Sequence, residues 1–172
     1  MGTATNLLDA QTIVMTYSTE FADLYERHYA AVYRTALRVT GNPADAEDAL
    51  QTVFLRVLNR GELFDSTQAP EAYFRRAATN AAVDLLRKRF LHAETPLDSA
   101  STITSRESSV LLKEQLRRAI AALDPEDAAL FLLRFVDGVS NGELAEMYSQ
   151  DKNSIAVRLH RIRQHLQTEL ER

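Results

Sequence analysis

Tyr73, Arg76, Asn80, Asp84 and Arg87 carry groups suited to handling a nucleotide, and they are separated by steps of three and four. On a helix that spacing lines them along one face. The face would offer an aromatic ring, a bidentate amide, a carboxylate and two guanidiniums. Such a surface suits unstacked bases, which stack on rings and offer their edges to amides, and it suits phosphates. Lys88 and Arg89 add positive charge at its end. The plainer alternative is a solvated helix face with one half-buried Tyr, since charge runs are usually surface. A second cluster comprises Lys152, Asn153, Ser154, Val157, Arg158 and Arg161, within residues 152–168, which hold no acid. A helix start of this kind can enter a major groove, where Arg binds guanine edges or clamps phosphates. The plainer alternative there is a helical hairpin with a basic surface.

Both clusters need helices to position them. Residues 70–89 open with Pro70, suited to a first helical position, and Glu71, which complements the positive end of the dipole. Phe74, Ala78, Ala81 and Leu85 supply the apolar stripe. Upstream, Thr19 can cap a helix running to about Val39, with Phe21, Leu24, Tyr25, His28, Val32 and Ala36 on its buried side. Gly41-Asn42-Pro43 ends that helix and starts another, which runs to about Asn59. Its core side is Ala46, Ala49, Leu50, Val53, Phe54, Val57 and Leu58. Asp48, Gln51 and Leu55 fall on its outer face, where an apolar residue among polar ones suits docking on a partner protein. Residues 60–69 form a polar loop, and its Asp65, Ser66, Thr67 and Gln68 could border a pocket beside the 70–89 helix.

The second cluster belongs to a separate unit. Residues 92–110 are rich in Ser and Thr and lack a helical period. They read as a flexible, weakly acidic linker that spans at most about 60 Å. Residues 1–17 read as a loose arm or short helix. The expected organisation is therefore all-α: an arm (1–17), a helical domain (18–91), the linker (92–110) and a second helical domain (111–172). In the second domain Leu112, Leu116, Ile120 and Leu123 align on one helix, and Asp124-Pro125 restarts the chain. Ser140 and Glu143 form a capping box ahead of a short helix. A polar turn, Ser149-Gln150-Asp151, precedes a long helix from about Asn153 with the stripe Ile155, Leu159, Ile162 and Leu166. A short capped helix, a tight turn and a longer basic helix make a helix-turn-helix.

Composition limits the remaining classes. With 172 residues and 45% hydrophobic content the chain can build one medium or two small cores. It has no Cys, so no disulfide framework, thiolate site or Cys nucleophile is possible. A signal peptide and a membrane-length apolar run are both lacking, which points to the cytoplasm and to no membrane contact. The net charge of −4 argues against adhesion to bulk DNA. Two compact basic patches on an acidic chain permit local binding instead. An enzyme is not expected: the five Gly are scattered, and His160 and His165 lack a carboxylate at metal spacing. No metal and no cofactor are expected.

The combination resembles a bacterial family, the extracytoplasmic-function sigma factors, the smallest class of RNA polymerase specificity subunits. Asp45 to Leu58, followed by Ala72 to Arg89, is similar to the family's domain 2; Leu144 to Leu166 is similar to its helix-turn-helix domain 4. The resemblance implies promoter recognition, DNA melting and transcription initiation. It implies that Asp48, Gln51 and Leu55 dock on the β′ clamp helices of core polymerase, with the β subunit as a further contact. Tyr73, Arg76, Asn80 and Asp84 would melt and read the −10 element, Arg87, Lys88 and Arg89 would touch nearby phosphates, and Asp65, Ser66, Thr67 and Gln68 would hold a flipped base. Lys152, Asn153, Ser154, Val157, Arg158 and Arg161 would read the −35 element. An anti-sigma partner is also implied. The chain departs from the family with Tyr73 where Trp is frequent, and with Ser149-Gln150 where the turn commonly holds Gly. The competing readings are a decoy that binds an anti-sigma factor without reading promoters, and a helix-turn-helix repressor.

Overall fold

Three of the four prolines stand at the first residue of a helix, where the missing N–H would have no partner in any case. The computed structural model describes residues 4–60, 70–92 and 105–171. It consists of α1 (Ala4–Thr40), α2 (Pro43–Arg60), α3 (Pro70–His92), α4 (Ser105–Ala122), α5 (Pro125–Phe135), α6 (Asn141–Met147) and α7 (Lys152–Leu170). The expected all-α architecture of two helical domains is observed among the described residues.

The first helix corrects the sequence reading. It is continuous from Ala4, so Thr19 lies in its interior rather than at an N-cap, and residues 4–17, expected as a loose arm or a short helix, are part of this long helix. No Gly or Pro interrupts residues 4–40, so a cap-capable Ser or Thr alone does not start a new helix. The helix ends where expected. Gly41 takes φ +65°, a left-handed conformation that Gly adopts freely, and its N–H bonds to Leu37 O at 2.8 Å. Asn42 Oδ1 then accepts from the Ala44 N–H at 2.8 Å and caps α2. The start of α4 is a second correction: it opens at Ser105, inside the stretch expected as linker. Residues 93–104 and the loop 61–69 lie outside the described residues.

α1, α2 and α3 form the N-terminal bundle. Val32, Ala36 and Val39 of α1 meet Ala49, Val53 and Phe54 of α2 and Phe74, Ala78, Ala82 and Leu86 of α3, all buried. A rim of rings closes one end: Phe54 packs 5.4 Å from Phe74, and the buried His28 imidazole stacks on Phe74 at 4.4 Å. Leu86, fully buried, rather than Leu85 completes the α3 stripe. Leu58 and Tyr25, expected inside, are exposed.

α4 to α7 form the C-terminal bundle around Leu130, Leu133, Leu144, Ile155, Leu159 and Ile162. Its local chemistry follows the sequence. Asp124 accepts from the Glu126 N–H and caps α5; Ser140 and Glu143 exchange both hydrogen bonds of the capping box. Leu112 is exposed, so the α4 stripe starts at Leu116. The two bundles pack on each other: α3 lies against α4 and α5, and their buried residues form one continuous cluster.

Candidate nucleic-acid interface

The helix-turn-helix of the C-terminal bundle is built by two caps and one strained residue. α6 closes with the Gln150 N–H on Ala145 O (2.9 Å) and the Ser149 N–H on Glu146 O (3.2 Å). This is the Schellman pattern, and Ser149 occupies its left-handed position at φ +52°. Asp151, exposed before α7, accepts from the N–H groups of Asn153 and Ser154, both at 2.9 Å. These bonds and the Ser154 hydroxyl hold its carboxyl below the ordinary carboxylate range. α7 therefore starts one residue before the expected Asn153. Ile155, Leu159, Ile162 and Leu166 bury one stripe.

On the other faces Lys152, Asn153, Ser154, Val157 and Arg161 are exposed, Val157 at 50%. Asn153, Ser154, Val157 and Arg161 line an open groove of about 940 Å³ that Asp124 and Asp127 border from the start of α5. Arg158 differs from the rest of this set. Its guanidinium is bound by Asp127 and pairs with Glu126 at 3.4 Å, so it braces α7 against α5. The sequence shows Arg158 as one more basic residue; its partners lie 31 and 32 positions away and leave no local signature.

The face of α3 is arranged otherwise. Tyr73 is half-buried and meets Phe74 edge-on at 5.4 Å. Arg76 donates Nη1–H to Met147 O at 2.8 Å and stacks its guanidinium 4.5 Å over the Tyr148 ring. Burial pushes the Tyr148 hydroxyl pKa up. Asn80 and Asp84 border a cavity of about 280 Å³ between the bundles, with Arg56 of α2, 3.9 Å from Asp84, also lining it and Tyr148 contributed by the C-terminal bundle. Arg87 donates to Leu123 O at 3.0 Å. Lys88 is exposed. Arg89 is tied inward, to Asp45 (3.0 Å), Thr40 O (3.2 Å) and Glu114 (3.6 Å). The structure thus brings Arg76, Asn80 and Asp84 around one cavity and turns Arg89 away from it. Asp65, Ser66, Thr67 and Gln68 fall outside the described residues.

On α2, Asp48, Gln51 and Leu55 share one exposed face, and Leu55 is 55% exposed. Leu58, three positions further, is also exposed and extends the apolar strip; reading α2 as a wider buried stripe hid it. Among the described residues no group of three or more His, Cys, Asp or Glu is placed to hold a metal, and no helix is long and apolar enough to cross a membrane.

Comparison with known proteins follows this division. Residues 24–90 match the pattern of sigma-70 region 2, and residues 113–166 match that of sigma-70 region 4. The chain is 31% identical over 143 residues to the ECF RNA polymerase sigma factor SigL of Mycobacterium tuberculosis, covering 80% of this chain and 81% of that one. It is 26% identical over 165 residues to the ECF RNA polymerase sigma factor SigW of Bacillus subtilis, covering 87% and 88%. Its fold is similar to that of CnrH solved with the cytosolic domain of CnrY, with a TM-score of 0.56 at 21% identity over 88% of this chain and 87% of that one.

Proposed function

The chain belongs to the extracytoplasmic-function RNA polymerase sigma factors, and we propose that it carries out promoter recognition and opening with the residues described above. Core polymerase is met by the exposed strip of α2, with Asp48 and Gln51 beside Leu55 and Leu58. The outer face of α7 reads the −35 duplex: Lys152 and Arg161 supply charge, Asn153 and Ser154 hydrogen bonds, and Val157 an apolar contact for thymine methyls. The α3 face, with Tyr73, Arg76, Asn80 and Asp84, reads the −10 strand, and Asp65 to Gln68 hold a flipped base. Arg87 and Lys88 neutralise phosphates there; Arg158 and Arg89 position helices rather than touch DNA. The observation that carries this reading is the pairing of two unlike surfaces on one chain. One is the outer face of α7, which holds no acid over residues 152–168, and the other is an aromatic, amide and guanidinium face on α3.

Held at fixed separation on polymerase, the two surfaces act on one DNA molecule, so the second contact becomes intramolecular. Capture of an unstacked base offsets a few kcal/mol of unstacking. The chain performs no bond chemistry; polymerase does. It works in the cytoplasm with polymerase, and an anti-sigma factor holds it in check.

The test is open-complex formation by core polymerase with this chain on a promoter library, with unpaired thymines mapped by permanganate. Melting that depends on the chain and is lost in Asn80→Ala is expected. Core binding without melting on any promoter would overturn the reading in favour of a decoy. Tight duplex binding without core binding would leave a repressor.

A further inference from the structure

The side of α7 that lines the open groove carries Ser154, Arg158, Arg161 and His165, in steps of four, three and four. Arg158 stands inside that run, about 4.5 Å along the helix axis from Arg161. The two arginines meet different surroundings. Arg161 stands in solvent. Arg158 donates its Nε–H to Asp127, and its Nη2 lies 3.4 Å from Glu126, with the side chain only 26% exposed. Burial opposes its charge, yet the two carboxylates outweigh that effect and raise its pKa.

Asp127 is the third residue of α5, after Pro125 and Glu126. An acid in that first turn complements the positive end of the helix dipole, so Asp127 serves α5 and α7 at once. A guanine edge offers an arginine two neutral acceptors, O6 and N7. Asp127 and Glu126 offer charged acceptors, and charge-assisted hydrogen bonds are roughly twice as strong as neutral ones. A base edge alone therefore does not draw Arg158 from its clasp. Glu126 is the lesser partner, since its side chain is 66% exposed and solvent screens the pair.

We propose that Asp127 is a positioning residue that sets the base preference of α7: by clasping Arg158 it withholds a guanidinium from the middle of the recognition face, and the duplex element carries no guanine-dependent contact at the step facing Arg158. The inference rests on the assignment of α7 to the −35 duplex and deepens it. Reading falls to the neighbours of Arg158. Asn153 bonds adenine at N6 and N7, Val157 packs on a thymine methyl, and guanine is favoured only where Arg161 reaches. Asp127 thus acts on specificity without touching DNA, through the one arginine that it removes from the set.

The test is selection by holoenzyme, assembled from core polymerase and the full-length chain, on the permanganate-mapped promoter with its −35 region randomised. The parent and Arg158→Ala should select the same sequences. Asp127→Asn with Glu126→Gln keeps both shapes and removes both charges, so the released guanidinium should add a preference of about tenfold for guanine at one further step. Adding Arg158→Ala to that pair should abolish the new preference, and Asp127→Glu should keep that of the parent. Asp124→Asn removes another charge at the groove but neither partner of Arg158, and Asn still caps α5. It should strengthen binding to all sequences alike and add no preference. A brace with a purely structural role would lower melting temperatures without moving the selected bases. An unchanged selection in Asp127→Asn with Glu126→Gln would therefore overturn the proposal, as would a parental guanine preference that vanishes in Arg158→Ala. A parent holoenzyme that opens the promoter but selects no −35 sequence would overturn the −35 assignment together with this inference, and the parent alone tells that outcome from the others.

Discussion

α3 and α7 are the two helices proposed to recognise DNA, and they are packed in opposite ways. α3 is enclosed: Phe74, Ala78, Ala82 and Leu86 face its own bundle, while Arg76, Val83 and Arg87 meet the C-terminal bundle. α7 buries a single stripe and leaves Asn153, Val157 and Arg161 in solvent. The duplex reading proposed for α7 needs a preformed face open to solvent, and α7 has one. A single-strand reader has no ligand until the duplex opens. Its groups can therefore be held by other acceptors until then.

The largest expected effect follows from that contrast in burial. Phe74→Ala removes a fully packed ring that supports Phe54 and His28, and should destabilise the protein by roughly 3–5 kcal/mol. Val157→Ala on the open face of α7 should stay within about 0.5 kcal/mol. Urea denaturation followed by circular dichroism measures both. Similar losses for the two would mean that α7 is no more open than α3.

The next contrast lies within α7. Arg161→Ala should weaken binding to the −35 duplex by roughly 1–3 kcal/mol and leave the melting temperature nearly unchanged. Arg158→Ala should do the reverse, lowering stability by up to about 1 kcal/mol through loss of the Asp127 and Glu126 contacts. Fluorescence anisotropy with a labelled duplex, paired with thermal melts, separates the two roles. A matching loss of affinity in Arg158→Ala without loss of stability would return Arg158 to the DNA-contacting set.

These cases mark the boundary of what the chain discloses by itself. Features set by neighbours within four or five residues are legible: the prolines at helix starts, the Asp124 cap, the Ser140–Glu143 box and the Ile155–Leu166 stripe. Their partners lie inside the window in which spacing is informative. The interior position of Thr19 shows the limit of that rule, because a cap signal decides nothing when the residues on both sides can continue the helix. Leu58 and Leu112 fit a buried period and are exposed, because amphipathic spacing indicates which face is apolar and not how wide a strip the neighbouring helix covers. The candidate site divides in the same way. The α7 face and the α2 strip were readable as surfaces, whereas the capture of Arg76, Arg87, Arg89 and Arg158 by acceptors 25 to 71 residues away depends on tertiary approach alone.

Acid should separate the two bundles. Burial lowers the His28 pKa below its ordinary 6.5, with Glu71 opposing and Arg27 assisting. The unfolded chain therefore binds the His28 proton more tightly, so the contribution of neutral His28 is present above about pH 6.5 and is lost as pH falls through the depressed folded value. At the cap of α7 the Asp151 carboxyl is held below its ordinary 3.8, so its contribution persists until pH falls under that value. Domain-specific probes followed from pH 7 to 3 should show the N-terminal bundle weakening first. His28→Gln should remove the early phase. Simultaneous weakening of the two bundles would indicate that a shared contact, not His28, controls the acid response.

The smallest expected effect is a gain. Ser149 adopts φ +52° at the left-handed position of the Schellman turn that separates α6 from the recognition helix. An L-residue there costs roughly 1–2 kcal/mol in steric conflict between its Cβ and carbonyl oxygen, whereas Gly has none. Gly in turn loses more backbone freedom on folding, by roughly 0.5–1 kcal/mol. The difference predicts that Ser149→Gly stabilises the protein by about 0.5–1 kcal/mol. Ser149 is exposed, and its side chain is no part of the surfaces assigned to DNA or polymerase. The variant should therefore raise the denaturation midpoint of the C-terminal bundle and leave duplex affinity where it was. A higher midpoint together with tighter duplex binding would mean that the turn is a hinge whose stiffness sets how α7 enters the groove. α7 would then be less preformed than its caps imply, and the contrast with α3 would be one of degree.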